Sequence, residues 1–268
     1  MPKQRLDVVL VERGLFESRA RAAAAVLAGE VLIGAGRERA SKPGQMVSGD
    51  VSLEVAARLE YVSRGGVKLA NALDLFGLDV AGASALDVGA STGGFTDCLL
   101  QRGAIHVVAL DVAYGELSWK LREDPRVTVI ERHNARMLTP GELPYAPGLI
   151  VMDLSFISLT KVLPAVLACA AARYDCLAMI KPQFEVGRSR VGKGGVVRDP
   201  SLRRDALVSV GRSAVGLGAV VMGYASSGLP GPKGNRETFV RLAERARPGA
   251  VDDLEAAAAA VEPLAVES

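Results

Sequence analysis

From residue 84 to residue 242 the chain alternates short aliphatic runs with helical stretches. That alternation limits what it can fold into, because strands spaced by helices must build one sheet covered on both faces. The strand-like runs fall at 84–88, 105–111, 127–131, 148–153, 175–180, 219–225 and 237–242. Helices lie between most of them, including 94–102 and 200–216. The order predicts a seven-stranded α/β doubly wound sheet with parallel strands, in which ligands sit outside the carboxyl ends of the strands.

The 268 residues leave room for a second, smaller unit. Leu6, Val9 and Leu10 recur at helical spacing until Gly14, and Ser18 is placed to cap a second helix, Arg19 to Leu27, that ends before Gly29. Strands at Val31–Ile33 and Val51–Val55 follow. The expected division is a small α+β unit over 1–57, a link over 58–65, the α/β domain over 66–250 and an acidic, Ala-rich tail over 251–268. The domain opens with a helix at Leu69–Phe76, and the tail carries one at Val251–Val261.

A formal net charge of +2 excludes a global polycation, but the charge is patchy. Residues 1–42 carry eight Lys and Arg against five acids, residues 185–204 six against two, and residues 252–268 five acids and no base. The three cysteines fit neither a disulfide framework nor zinc-ligand spacing, so no metal is expected and a reducing, cytoplasmic setting is. The longest apolar stretch, Val162–Ala172, contains Pro164 and falls short of the roughly 20 residues a spanning helix needs. No apolar core follows the charged start Met1-Pro2-Lys3-Gln4-Arg5, so no signal peptide is expected either.

The first strand of the large domain runs into Asp87-Val88-Gly89-Ala90-Ser91-Thr92-Gly93-Gly94-Phe95-Thr96. A Walker loop is excluded, since its Gly-Lys-Ser/Thr ending is missing, and Ser91 replaces the middle glycine of a dinucleotide fingerprint. The leading Asp87 discriminates further. A carboxylate there would repel a pyrophosphate but accepts hydrogen bonds from an ammonium. The loop therefore suits S-adenosyl-L-methionine, whose amine and sulfonium are cationic, with Asp87, Gly89, Ser91, Thr92, Gly93, Gly94 and Phe95 as the cofactor-binding candidates. Twenty-four residues on, Asp111 ends the second strand, where a carboxylate can accept both hydroxyls of a ribose. Asn134, after the third strand, suits either the adenine edge or a turn.

Charged residues also cap later strands. Asp153 ends the fourth in Asp153-Leu154-Ser155-Phe156-Ile157-Ser158, and Lys181 the fifth in Lys181-Pro182-Gln183-Phe184-Glu185. Lys68 follows Val62-Ser63-Arg64-Gly65-Gly66-Val67, and Glu237 starts the last strand. Each alone reads as a surface charge; two lysines and two carboxylates at one crevice read as a site.

With these strings the chain resembles the TlyA (haemolysin A-like) family of ribosomal RNA 2′-O-methyltransferases over nearly its whole length. The resemblance implies a Rossmann-like class I methyltransferase domain of the FtsJ type using S-adenosyl-L-methionine, and an N-terminal RNA-binding domain of the S-four type. It implies a catalytic tetrad at Lys68, Asp153, Lys181 and Glu237, with Asp153 also beside the cofactor, and cytidine ribose in ribosomal RNA as substrate. One departure is Ile33-Gly34-Ala35-Gly36, where that RNA-binding domain usually shows Asn-Gly.

A ribose hydroxyl is a weak nucleophile, and a lysine can activate it only when partly deprotonated. Neighbouring positive charge and partial burial both act in that direction. Lys181 is therefore expected to be base-like and Asp153 to orient it, while Lys68 and Glu237 hold the ribose and its phosphate. Arg5, Arg19, Arg21, Lys42, Arg64, Arg188, Arg190 and Lys193 are the candidates for gripping RNA. Ribosomal RNA, as part of a subunit, is the expected partner, with no DNA and no membrane. Competing readings are an RNA-binding assembly protein on an inactive methyltransferase fold, a membrane-active haemolysin, and a base methyltransferase. The last usually places Asn/Asp-Pro-Pro-aromatic or a catalytic cysteine where this chain has Asp153-Leu154-Ser155-Phe156.

Overall fold

A computed structural model describes residues 3–27, 30–55, 60–231 and 233–262. The helix stop at Gly29, the expected boundary at residue 57 and the end of the acidic tail lie outside those residues. The chain divides into two compact units, 1–60 and 61–268.

In the first unit, β1 (Lys3–Arg5) leads into α1 (Leu6–Glu12), followed by α2 (Arg19–Leu27), β2 (Val31–Ile33), β3 (Glu38–Arg39), β4 (Met46–Ser48) and β5 (Leu53–Val55). Leu6, Val9 and Leu10 of α1 pack with Ala22, Ala25 and Val26 of α2 and with Val31, because i, i+3 and i+4 positions share a helix face. Gly14 ends the α1 turn at φ +70°, and the Ser18 hydroxyl accepts from the Arg21 amide at 3.3 Å as the α2 cap. The strands form an antiparallel β1–β4 pair and a three-stranded sheet in the order β3-β2-β5. The departing segment at Gly34 is the β2–β3 turn: Gly34 takes φ +74°, and its carbonyl accepts from the Arg37 amide at 3.1 Å.

The second unit contains α3 (Arg64–Phe76), β6 (Ser84–Val88), α4 (Gly94–Gln101), β7 (His106–Leu110), α5 (Trp119–Arg122) and β8 (Val127–Ile130). It continues through β9 (Leu149–Met152), α6 (Leu163–Ala168), β10 (Asp175–Ile180), α7 (Pro182–Glu185), α8 (Pro200–Gly216), β11 (Ala219–Ser226), β12 (Thr238–Glu244) and α9 (Leu254–Val261). Its seven strands order as β11-β12-β10-β9-β6-β7-β8. Side chains alternate across the sheet: Leu86, Val88, Ile150, Met152, Ala178 and Ile180 enter one core, while Ala85, Val151, Leu177, Met179 and Phe239 enter the other. This is a Rossmann-like sheet covered on both faces.

The sheet is not wholly parallel, as the alternation alone suggested. β12 runs antiparallel to both β10 and β11. Residues 227–237 between β11 and β12 are too few for a parallel crossover, so the chain turns back beside itself. In consequence the residue before β12 lies at the carboxyl edge of the parallel strands.

Helix α3 begins at Arg64, earlier than the Leu69 expected, because Ser63 caps it and accepts from the Gly65 amide at 3.3 Å. Gly66 tolerates no side chain: a Cβ there would lie 2.3 Å from the Tyr61 ring. Gly66→Ala is therefore expected to cost about 1–3 kcal/mol by overpacking, measured by chemical denaturation. An unchanged midpoint would contradict this packing.

Candidate active site

The strand order reverses between β6 and β9, whose Val88 and Met152 are register partners. Two neighbouring loops leave the sheet here in opposite directions, opening a crevice at their carboxyl ends. A cavity of about 430 Å³ occupies it, lined by Gly89, Ser91, Asp111, Asn134 and Asp153 among the candidates. Gly89 adopts φ +87°, and a Cβ on it would meet the Asp153 carbonyl at 2.6 Å, so the loop can cross the end of β9 only as glycine.

One carboxylate of the cavity, that of Asp111, is oriented by backbone amides. Asp111 Oδ2 accepts from the Ser91 amide at 2.7 Å and Oδ1 from Ala113 at 2.8 Å. Each oxygen keeps a free lone pair, so the group can still receive two ribose hydroxyls. Ser91, at φ +47°, gives its hydroxyl to Glu116 at 3.0 Å. Glu116 lines the cavity as a third carboxylate, and among the described residues no lysine or arginine does. A cavity of this size with that charge fits S-adenosyl-L-methionine, whose two cationic centres suit three carboxylates better than a phosphate would. Asn134 lines the cavity while its side chain accepts from the Arg136 amide at 3.1 Å, so the turn and adenine-edge roles are compatible.

Four other loop candidates do not line this cavity, and neither does Asp87. Asp87 is fully buried beneath the loop and accepts from the Thr96 hydroxyl at 2.6 Å. It braces the loop from below through Oδ2, while Oδ1 has no hydrogen-bond partner. Burial first, then the charge of Asp153, pushes its carboxyl up to about 7, against the helping hydrogen bond from Thr96. Gly93 and Gly94 are packing positions: added Cβ atoms would meet Leu121 at 2.3 Å and the Ser63 hydroxyl at 2.1 Å. Phe95 is core, its ring 5.9 Å from that of Phe239. Thr92 contributes a carbonyl, which accepts from the Ser118 amide at 3.2 Å.

The tetrad candidates form two ion pairs. Lys181 Nζ lies 2.5 Å from Asp153 Oδ1 and donates to the Ser155 hydroxyl at 3.0 Å. Lys68, on the inner face of α3, donates to Glu237, and both are buried. Because Ile180 and Thr238 are register partners, Lys181 and Glu237 leave the sheet at the same edge. Each ammonium thus has its own carboxylate, and the two lysines need not face one another. Phe156 was not singled out by sequence reasoning. It holds φ +65°, lines the cavity while the residue is 91% exposed, and packs its ring at a tilt against that of Phe184, 5.3 Å away. A strained backbone that holds a large apolar ring in solvent points to a ligand-facing role.

The basic candidates are all exposed, and several are already paired. Arg5 and Arg19 both donate to the buried Asp7, at 2.9 and 3.1 Å, and these contacts hold the Asp7 carboxyl down to about 2. Arg21 pairs with Glu17 at 3.0 Å. Arg64 donates to the Pro230 carbonyl at 3.2 Å, and Arg190 to that of Val186 at 2.7 Å. Arg188 and Lys193 stand in two single-turn helical segments of the Gly-rich loop, and Lys42 in a loop of the first unit. A larger hollow of about 550 Å³ lies between α8 and α9, lined by Arg204, Arg212, Asp205 and Glu255, and it holds none of the strand-edge residues.

Residues 61–244 match the family described as FtsJ-like methyltransferase, which makes this Rossmann-like unit a methyltransferase domain with S-adenosyl-L-methionine as its cofactor. The chain is 51% identical over 247 residues, 90% of each chain, to the 16S/23S rRNA (cytidine-2′-O)-methyltransferase TlyA of Mycobacterium tuberculosis. It is 41% identical to Hemolysin A of Brachyspira hyodysenteriae, over 87% of this chain and 97% of that one. A solved structure from Streptococcus thermophilus, named as a candidate hemolysin, superposes with a TM-score of 0.74 at 39% identity, over 97% of this chain and 96% of that one. The chain belongs to the TlyA family. Among its described residues no helix is long and apolar enough to cross a membrane.

The buried Asp87 sets a pH dependence. Its carboxyl is raised in the fold, from 3.8 to about 7, so the fold favours the protonated form. That contribution is complete below the unfolded value and is lost as pH climbs through the folded one. Asp87→Asn keeps an acceptor for Thr96 and should therefore melt progressively higher than the parent between pH 5 and 8, by on the order of a few kcal/mol at the upper end. A difference that does not vary with pH would contradict a buried, protonated Asp87.

Proposed function

We propose that the chain transfers a methyl group from S-adenosyl-L-methionine to the 2′-hydroxyl of cytidine in ribosomal RNA. The observation that carries this reading is the Asp153–Lys181 ion pair at the rim of the acidic cavity, with Lys68–Glu237 at the same edge.

When bound, the cofactor supplies an electrophilic methyl on a sulfonium, so the protein's task is alignment and removal of one proton. Lys181 Nζ is held by both Asp153 and Ser155, which fixes its direction. In this reading Lys181, as the neutral amine, accepts the 2′-hydroxyl proton while the oxygen takes the methyl, and Asp153 holds the ammonium that results. The buried Lys68–Glu237 pair presents a fixed charge arrangement to the ribose and its neighbouring phosphate. Phe156 offers a ring face on which the target base can stack.

The first unit is read as an S-four type RNA-binding domain, with Asp7 aligning Arg5 and Arg19 and with Arg21 and Lys42 adding charge. Arg64, Arg188, Arg190 and Lys193 would hold the strand that enters the site. Such contacts act through phosphates and carry little sequence information, so a folded ribosomal subunit is the favoured target.

Lys181→Ala is expected to lower methyl transfer by about 10²–10⁴-fold while leaving cofactor affinity nearly unchanged, measured by labelled methyl transfer and titration calorimetry. Parent-level turnover would refute the role of Lys181. Replacing Arg188, Arg190 and Lys193 together with Gln should weaken RNA binding and flatten its dependence on log salt, by about one unit of slope for each phosphate no longer neutralised. An unaltered salt slope would remove the loop from the RNA interface.

A further inference from the structure

Beyond Glu244, where the family match ends, the chain continues into α9, and Glu262 behind it is only 3% exposed. Its carboxylate gathers guanidiniums from two distant segments. Arg203 of α8, itself 6% exposed, meets Oε2 through Nε and Nη2, each at 3.0 Å. Arg236, the residue before Glu237, reaches the same oxygen through Nη1 at 3.5 Å. Arg203 also gives Nη1 to the carbonyls of Val197 and Arg198, at 3.2 and 2.6 Å, where the Gly-rich loop ends. Asn235 ties the same segments a second time, accepting from the Val197 amide at 3.0 Å and donating to the Gly195 carbonyl at 2.8 Å.

Two segments important to the reaction therefore converge on one buried carboxylate: the loop bearing Arg188, Arg190 and Lys193, and the turn that delivers Glu237 to Lys68. A buried ionic cluster is weak evidence for stability, since apolar groups of like volume often serve as well, but it fixes geometry in a way they do not. We propose that Glu262 is a positioning residue of the methyl-transfer site, acting through Arg236 and Arg203 to hold Glu237 and the Gly-rich loop in register. The proposal rests on the methyltransferase reading of the tetrad. It gives the C-terminal segment, outside the FtsJ-like match, a part in the reaction. None of the cavity-lining residues lies on α8, β12 or α9, so cofactor binding is separable from the brace.

The test compares Glu262→Gln, Arg236→Gln and Arg236→Lys in the full chain. Arg236 has an exposed side chain, so its substitution leaves the buried Arg203–Glu262 pair intact and the protein folded. The brace predicts that kcat for RNA methylation falls about tenfold or more in both Gln variants, with S-adenosyl-L-methionine Kd within about twofold of the parent; RNA KM stays within about twofold in Arg236→Gln, where Arg203 still holds the loop, and rises in Glu262→Gln, where it does not. Arg236→Lys keeps the charge and should restore most of kcat. Amide exchange should quicken at Val197 and at 235–237 in Glu262→Gln, while the Ser91 and Ala113 amides exchange as before. A raised RNA KM at unchanged kcat in Arg236→Gln would make Arg236 a plain RNA contact and overturn the brace. So would parallel loss of cofactor affinity and kcat, or parent-level kcat in Glu262→Gln. If the parent itself methylates no RNA, the methyltransferase reading fails, and the exchange data alone decide whether Glu262 holds these segments.

Discussion

The site depends on a geometric constraint: the sheet changes direction of growth between β6 and β9, and β12 then enters antiparallel. The first fact opens a crevice, since neighbouring loops must diverge there. The second brings a residue that precedes a strand to the edge where all the others follow one. Asp111, Asp153 and Lys181 end parallel strands, and Glu237 starts the reversed one. Four segments far apart in sequence thereby supply charges to one edge without a long loop among them. The strands beneath are apolar on both faces, so charged groups collect where the apolar runs stop.

Electrostatics divides that edge. The cavity carries three carboxylates and, among the described residues, no lysine or arginine, which suits a cationic methyl donor. Lysines enter only beside it, each with a carboxylate: Lys181 on Asp153 and Lys68 on Glu237. Further out, the Gly-rich loop holds Arg188, Arg190 and Lys193 in solvent, where phosphate is the natural counter-charge. In the proposed reading, charge of opposite sign would keep the small cofactor and the polyanion from competing for the same groups.

Much of this was legible in the sequence. Strand bounds were readable because strands buried on both faces are continuous aliphatic runs, and α8 could be placed at 200–216 by its Asp199-Pro200 start and Gly216 end. The strand-end charges were readable for the same reason, as charged residues that interrupt apolar runs. What escaped had no periodic trace. β1, β3 and β4 are two or three residues long, too short to alternate. The burial of Asp87 beneath the loop depends on which face α4 covers, which the sequence does not mark. Phe156 comes to the cavity through its own positive φ, a conformation that a non-glycine residue does not announce, and Glu116 is held there by a hydroxyl from another loop, that of Ser91. The pairing of each lysine with a carboxylate, and the link from Glu262 to Arg203 and Arg236, join residues tens to more than a hundred positions apart, which a single sequence cannot register.

The central claim is that these charges direct a methyl group onto a sugar oxygen of RNA. The most direct measurement is nucleoside mass mapping of ribosomal subunits incubated with the protein and isotopically labelled S-adenosyl-L-methionine. The account predicts label in cytidine carrying a 2′-O-methyl ribose. Label on a base ring, or none in any ribosomal RNA, would contradict it.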